Sequence, residues 1–386
     1  ACIDCYMSRL IIISNRLPFS VDKVGEDIVL RQSSGGLVSA IKSYFEGDTS
    51  QTQQFTDKIW LGSVDVAEED WKMVSDMHAV QADFNIEAVF PDKNVYNDFY
   101  FGFSNSTLWP LFHYFPSLVE YKREYCEAYQ HVNHLFADKV AEVYQPGDVV
   151  WVHDYQLMLL PHLIRERLPD AVIGFFLHIP FPSYEIFRLM PSHWKRELLR
   201  GILGSDLIGF HTHDYVQHFI QSAQMVLAIE NQFNTIYYKD RIIKADLFPI
   251  GIDYKKFEEA STNEVVVNIV DKLEKTFEEK KIIFSVDRLD YTKGLNYRLD
   301  GFEQFLERNP EWLGRVSFIL NIIPSRDAIP AYIDRKRMIE EKVSTINGKY
   351  STLQWQPVIY RYNHLDFEEL CALYQAADIG LLTPLR

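Results

Sequence analysis

No apolar run in this 386-residue chain approaches the ~18–20 residues that a membrane-spanning helix requires; the longest candidate, Val172–Pro182, is interrupted by His178 and Pro180. No membrane partner is therefore expected. Cysteine is equally scarce. Cys2, Cys5, Cys126 and Cys371 are too few and too scattered for a disulfide framework in a chain of this length, so reduced intracellular thiols are the plain expectation. Cys2-Ile-Asp-Cys5 has metal-like spacing but no second cysteine pair, and it precedes Met7-Ser-Arg-Leu10, which reads as a natural start. No metal is expected there. A charged-then-apolar leader is also missing ahead of Leu10, which sets a cytoplasmic expectation. Basic charge is in deficit: 39 Lys and Arg against 54 Asp and Glu leave a net charge of −15, which argues against a nucleic-acid or anionic-membrane surface. Any anion site must be local. Two motifs are absent as well. Without G-x-G-x-x-G after the first apolar run a nicotinamide dehydrogenase is disfavoured. Without Asp-x-Asp, no metal held by that motif shares phosphate work, and no cofactor is expected.

What is present is ample core material, 47% apolar with 14% aromatic residues, in a length that favours two domains over one. Leu10–Ser14 is a β-branched run suited to a strand buried on both faces. Similar runs recur at Asp148–Val152, Ala171–Ile179, Leu207–Phe210, Ile282–Val286, Val316–Ile323 and Ile379–Leu382. Helical patterns lie between them, such as Tyr121–Val143, where Val132, Phe136 and Val140 share a face. Strands alternating with helices predict an α/β fold with parallel sheets. The pattern occurs twice, on either side of Pro249–Asp253, which predicts two Rossmann-like domains facing a cleft, residues 7–249 and 250–386.

Chemistry is expected where buried strands run out into polar residues. Ser33-Ser-Gly35-Gly36 precedes a helical pattern and reads either as an anion-binding helix start or as a flexible turn. Arg288 and Lys293 follow the strand Ile282–Val286 on one loop. They suit a departing diphosphate, or alternatively pair with Asp287 and Asp290. Asp154 and His178 each stand at a strand's carboxyl edge. Asp154 reads as a group that orients a hydroxyl or as a helix cap, His178 as a sugar-hydroxyl donor or as a satisfied core histidine. Arg16, Arg326 and Tyr100 offer a second anion site, with surface ion pairing as the alternative for the arginines. Trp60 and Trp109 are candidates for stacking on sugar faces, or else core packing.

Taken together, several long strings resemble the trehalose-6-phosphate synthase family, retaining glucosyltransferases that join UDP-glucose to glucose 6-phosphate. They include Ser14-Asn-Arg16, Gly35-Gly-Leu37, Leu108-Trp-Pro110, Trp151-Val-His-Asp-Tyr155, Gly174–Pro182, Phe284–Leu295, Ile346-Asn-Gly-Lys-Tyr350 and Leu382-Thr-Pro-Leu-Arg386, in the family's order. The resemblance implies a GT-B fold with the acceptor held mostly by the first domain and the donor mostly by the second. It implies that Arg16, Tyr100, Trp109, Arg326 and Trp60 bind glucose 6-phosphate. Arg288 and Lys293 would clamp the diphosphate of UDP-glucose, Gly35-Gly36 would cover the donor, and Asp154 and His178 would sit beside the reacting sugars. Family members continue past Leu382–Arg386 with Asp-Gly-Met-Asn-Leu-Val, so a second domain that is incomplete, and a 386-residue stretch inactive by itself, are expected. The rivals are a related synthase with another acceptor or with ADP-glucose, and a sugar-phosphate-binding module without turnover. Self-association into a homo-oligomer stays open.

Overall fold

The computed structural model describes residues 8–24, 27–32, 55–72, 84–325 and 329–385. Gly35, Gly36, Arg326, Cys2 and Cys5 lie outside the described residues. The chain divides into two compact units between Ile252 and Asp253, inside the extended Pro249–Asp253 stretch.

In the first unit, β1 (Ser8–Arg16) is buried continuously from Leu10 to Asn15, which only a strand covered on both faces can be. It pairs in parallel with β4 (Phe55–Ser63) on one side and β6 (Val149–His153) on the other. A separate hairpin, β2 (Phe19–Val24) with β3 (Asp27–Gln32), lies between β1 and β4 in sequence. The sheet continues through β5 (Asn85–Val89), β7 (Val172–Phe176), β8 (Leu207–Phe210) and β11 (Arg241–Leu247). It ends in the antiparallel strands β9 (Glu230–Gln232) and β10 (Thr235–Tyr238), in the order β5-β4-β1-β6-β7-β8-β11-β10-β9. Strand order runs outward in both directions from β1, so the switch point lies between β1 and β6. Ligands of open α/β sheets sit beyond the carboxyl ends of strands at such a point. Here those ends are Arg16 and His153-Asp154.

The helix Arg123–Val143 forms as its periodicity predicts, burying Tyr129, Val132, Phe136 and Val140 at three- and four-residue spacing. An element that periodicity does not predict is the π-helical run Asp98–Leu108. Its wider turns close five residues apart. The Trp109 N–H donates to the Ser104 carbonyl, and the Asn105 and Ser106 side chains donate to the carbonyls of Tyr100 and Phe101 at 2.8 and 2.7 Å. Wide turns of this kind concentrate at functional sites, and this one carries Tyr100.

The second unit holds β12 (Lys281–Arg288), β13 (Val316–Ile323), β14 (Val358–Tyr362) and β15 (Ile379–Gly380), all parallel, in the order β14-β13-β12-β15. The expected strand Ile379–Leu382 is thus shorter than its apolar run, because only Ile379 and Gly380 pair with β12. This sheet also switches direction, between β12 and β15, and Arg288 stands at the carboxyl end of that pair. Among the described residues no helix is long and apolar enough to cross a membrane.

Close helix packing in the first unit needs glycine at Gly201 and Gly204. A Cβ on Gly201 would run into the Met158 carbonyl and lie 2.7 Å from the Leu159 Cα. Gly201→Ala is expected to lower unfolding free energy by ~1–3 kcal/mol through overpacking, read by urea denaturation. Wild-type stability in that variant would contradict the packing described.

Candidate functional site

In the first unit, β6 ends on His153 and the chain turns at Asp154 with φ 75° and ψ 171°. That region is essentially reserved for glycine and costs an L residue about 1–3 kcal/mol. The turn is held from both sides. The Asp154 N–H donates to the Phe176 carbonyl at 2.8 Å, and the Asp154 carboxylate accepts from the His178 main-chain N–H at 3.2 Å. Asp154 and His178 are therefore brought together. They are not linked by a cap to a following helix: the Asp154 side chain makes no capping bond to the short Tyr155–Leu157 turn.

His178 also meets two histidines that the sequence reading did not single out. Its Nε2 lies 3.0 Å from His153 Nδ1, and the His211 ring is 5.6 Å away, centroid to centroid. Burial lowers the basicity of all three, driving His178 down to about 3. The rings of His153 and His178 are accordingly neutral at working pH. Both line a cavity of about 530 Å3 with Trp151, Gly174, Phe176 and Gly209. One signal could have found the third ring: Leu207–Phe210 is followed at once by a histidine, His211.

Nearer β1, the Arg16 guanidinium lies over the rings of Tyr96 and Tyr100, 5.5 and 5.4 Å from their centroids. The two rings are stacked 5.8 Å apart, and Arg16 Nε donates to the Tyr96 hydroxyl at 3.0 Å. This fixes the guanidinium plane while Arg16 Nη1 reaches an exposed partner, Asp65, at 3.1 Å. Arg16, Asp65, Lys93 and Tyr96 line a cavity of about 790 Å3. Asp65 is the natural competitor for any anion there. Surface pairing of this kind is worth only ~0–1 kcal/mol, so an incoming phosphate displaces it at little cost.

The two tryptophans are both buried. Trp60 is 0% exposed, packs in a core cluster with Leu10, Ile12 and Trp71, and donates from Nε1 to Ser14 Oγ at 2.8 Å. Trp109 is 6% exposed, with its ring against His113 and Tyr155. Both thus make core contacts, the alternative read for each from the sequence.

In the second unit, Arg288 ends β12 exposed and, among the described residues, has no carboxylate partner. The aspartates that could have quenched it are committed elsewhere. Asp290, 2% exposed, accepts from Thr292 N–H at 2.9 Å and from the Tyr332 hydroxyl at 3.0 Å. Asp287 takes Arg298 Nη2 at 2.8 Å and stands 3.8 Å from Lys293 Nζ. Arg298 is the organiser that sequence reasoning missed. Fully buried, it also donates to Ser285 Oγ, to Thr383 Oγ1 at 3.0 Å and to the Lys293 carbonyl at 3.2 Å. The signal was present: Arg298 occupies a core position of the apolar stripe Leu295, Leu299, Phe302 and Leu306. Gly294, at φ 62°, closes the loop where a Cβ would strike the Thr383 carbonyl.

The model of glycosyltransferase family 20 matches residues 8–386. The chain belongs to glycosyltransferase family 20. It is 41% identical over 98% of its length to a bifunctional trehalose-6-phosphate synthase/phosphatase of Thermoproteus tenax, and spans 51%, about half, of that relative. A solved structure from E. coli, described as trehalose-6-phosphate bound with UDP-2-fluoro glucose, aligns with TM-score 0.84 at 30% identity, over 98% of this chain and 79% of that one. A UDP-forming α,α-trehalose-phosphate synthase from Burkholderia xenovorans, solved with glucose 6-phosphate, aligns with TM-score 0.82 at 30% identity, over 98% and 80%. The fold is thus GT-B, as the sequence strings implied. In this family-20 chain both sheets place their polar strand ends at a switch point, and the residues there carry the candidate chemistry.

The neutral histidines make a pH prediction. Above about pH 6.5 the rings are neutral in both states and add no pH dependence to folding. Below it the unfolded chain takes up protons that His153 and His178 refuse, so stability falls, down to about pH 3 for His178. The loss is up to ~1.4 kcal/mol per pH unit per ring. Unfolding free energies of wild type and His153→Asn/His178→Asn, compared between pH 7.5 and 5, should show a flatter slope in the variant. Parallel slopes would contradict the neutral assignment.

Proposed function

We propose that the protein carrying this sequence transfers glucose from UDP-glucose to the anomeric hydroxyl of glucose 6-phosphate with retention, giving trehalose 6-phosphate and UDP. The observation that carries the reading is Arg288. An exposed guanidinium at a strand end, beside Lys293 and with its neighbouring aspartates engaged by Arg298, Thr292 and Tyr332, is a cation left free for an anionic ligand. The donor and acceptor classes are supported by what the E. coli and Burkholderia proteins hold.

In this reading the donor's C1–O bond breaks toward the diphosphate as the acceptor oxygen bonds to C1 on the same face. The acceptor's hydroxyl proton passes to the departing phosphate oxygen, where Arg288 and Lys293 offset the charge that develops. Asp154 orients the hydroxyl, and His178, neutral, donates to a sugar oxygen. Arg16, its plane set by Tyr96 and Tyr100, takes the phosphate of the acceptor with Arg326. Gly35-Gly36 covers the donor, and Trp109 borders the acceptor through its edge. The protein's work is mostly positioning and electrostatics. A cytoplasmic setting fits the buried free thiols of Cys126 and Cys371.

The test is UDP release from UDP-glucose by the full-length protein carrying this sequence, with glucose 6-phosphate or glucose as acceptor. Release should require the phosphorylated sugar. Arg288→Ala should lower turnover ~10²-fold or more while half-saturation by glucose 6-phosphate moves by less than about threefold. Release without glucose 6-phosphate, or a variant that keeps turnover and loses only acceptor affinity, would overturn the reading.

A further inference from the structure

His153 is 1% exposed, and its Nδ1 meets His178 Nε2 at 3.0 Å. Its other nitrogen, Nε2, is buried with no hydrogen-bond partner. Among the described residues no hydrogen bond reaches His178 Nδ1. Two neutral imidazoles joined in this way have two arrangements, and they differ in what they leave stranded.

If His178 donates from Nε2, His153 must carry its own proton on Nε2, as a buried N–H with no acceptor. Orphaned buried N–H groups are rare, and each costs ~1–3 kcal/mol. If His153 donates from Nδ1, only a bare lone pair is stranded, and the His178 proton moves to Nδ1. That is the ring nitrogen nearer the His178 main chain, whose N–H already bonds the Asp154 carboxylate at 3.2 Å.

We propose that His153 is a positioning residue: it donates from Nδ1 to His178 Nε2, locks His178 as the Nδ1–H tautomer, and so presents a neutral N–H donor to a hydroxyl of the bound sugar. The sugar-facing role rests on the transferase reading above, whereas the tautomer does not. His153 thereby does for His178 what the outer partners of metal-bound histidines do, fixing which nitrogen carries the proton. His211 closes the other flank of His178, where a hydrogen bond to the His178 backbone works against the lowering of its basicity by burial.

The tautomer is read directly by long-range 1H–15N correlation of 15N-histidine-labelled, ligand-free protein, with His178 assigned from its own substitution. In wild type, His178 should show a protonated Nδ1 and a bare Nε2, and His153 likewise. His153→Leu removes the donor and should move the His178 proton to Nε2. His153→Asn, whose amide N–H stands where Nδ1–H stood, should restore the Nδ1–H form. With UDP-glucose and glucose 6-phosphate, His153→Leu should lose ~10-fold or more in turnover, with half-saturation by glucose 6-phosphate moving less. A protonated Nε2 on His178 in wild type overturns the inference, and that spectrum suffices if the leucine variant fails to fold. An unchanged tautomer in a folded His153→Leu protein overturns it too. The expected tautomers in a protein that transfers no glucose overturn the transferase reading and leave the His153 assignment standing.

Discussion

At Asp154 the main chain holds φ 75° and ψ 171°, and the reactive edge of the first unit depends on that turn. It brings the Asp154 carboxylate under the His178 N–H and sends the chain on to Tyr155. The carbonyl of Tyr155 accepts from the buried Tyr129 hydroxyl at 2.7 Å, and the same hydroxyl accepts from Met158 N–H at 3.0 Å. Tyr129 belongs to the long helix Arg123–Val143, so the strained residue is clamped between a strand end and the core of the first unit. Strain persists only where surroundings determine a residue's conformation several times over. Here a backbone bond to β7, a carboxylate bond and the Tyr129 hydroxyl do so.

The second unit solves a related problem with charge. Arg298 buries a guanidinium and satisfies it with Asp287, Ser285, Thr383 and the Lys293 carbonyl. A buried charge is tolerable only when such partners surround it, and the arrangement has a consequence at the surface. By holding Asp287, it leaves Arg288 without a carboxylate partner among the described residues. A cation is thus kept available on a protein whose net charge is strongly negative.

Much of this was legible in the sequence because burial on both faces leaves a continuous apolar run, as in Leu10–Ser14 and Val316–Ile323, and because such runs end abruptly in polar residues. Asp154, His178, Arg288 and Lys293 stand at those ends. What was hidden depended on the third dimension. β4 mixes Asp57 and Lys58 with its apolar residues and carries no strand signature. The π-helical run Asp98–Leu108 lacks any pattern at period 3.6. The roles of His153 and Arg298 follow from partners 25 and 11 residues away, His178 and Asp287, which no local reading connects. Gly35, Gly36 and Arg326 keep the standing that their sequence context gave them.

The most direct measurement compares Asp154→Gly with Asp154→Ala in unfolding free energy and in UDP release. Both substitutions remove the carboxylate, but only glycine relieves the backbone. If the strain is held in place for the sake of the carboxylate, the glycine variant should be the more stable of the two by ~1–3 kcal/mol, and both should be close to inactive. An alanine variant as stable as glycine or more so, as at ordinary positions where glycine costs ~0.5–1 kcal/mol, would contradict the account. So would near wild-type turnover in either.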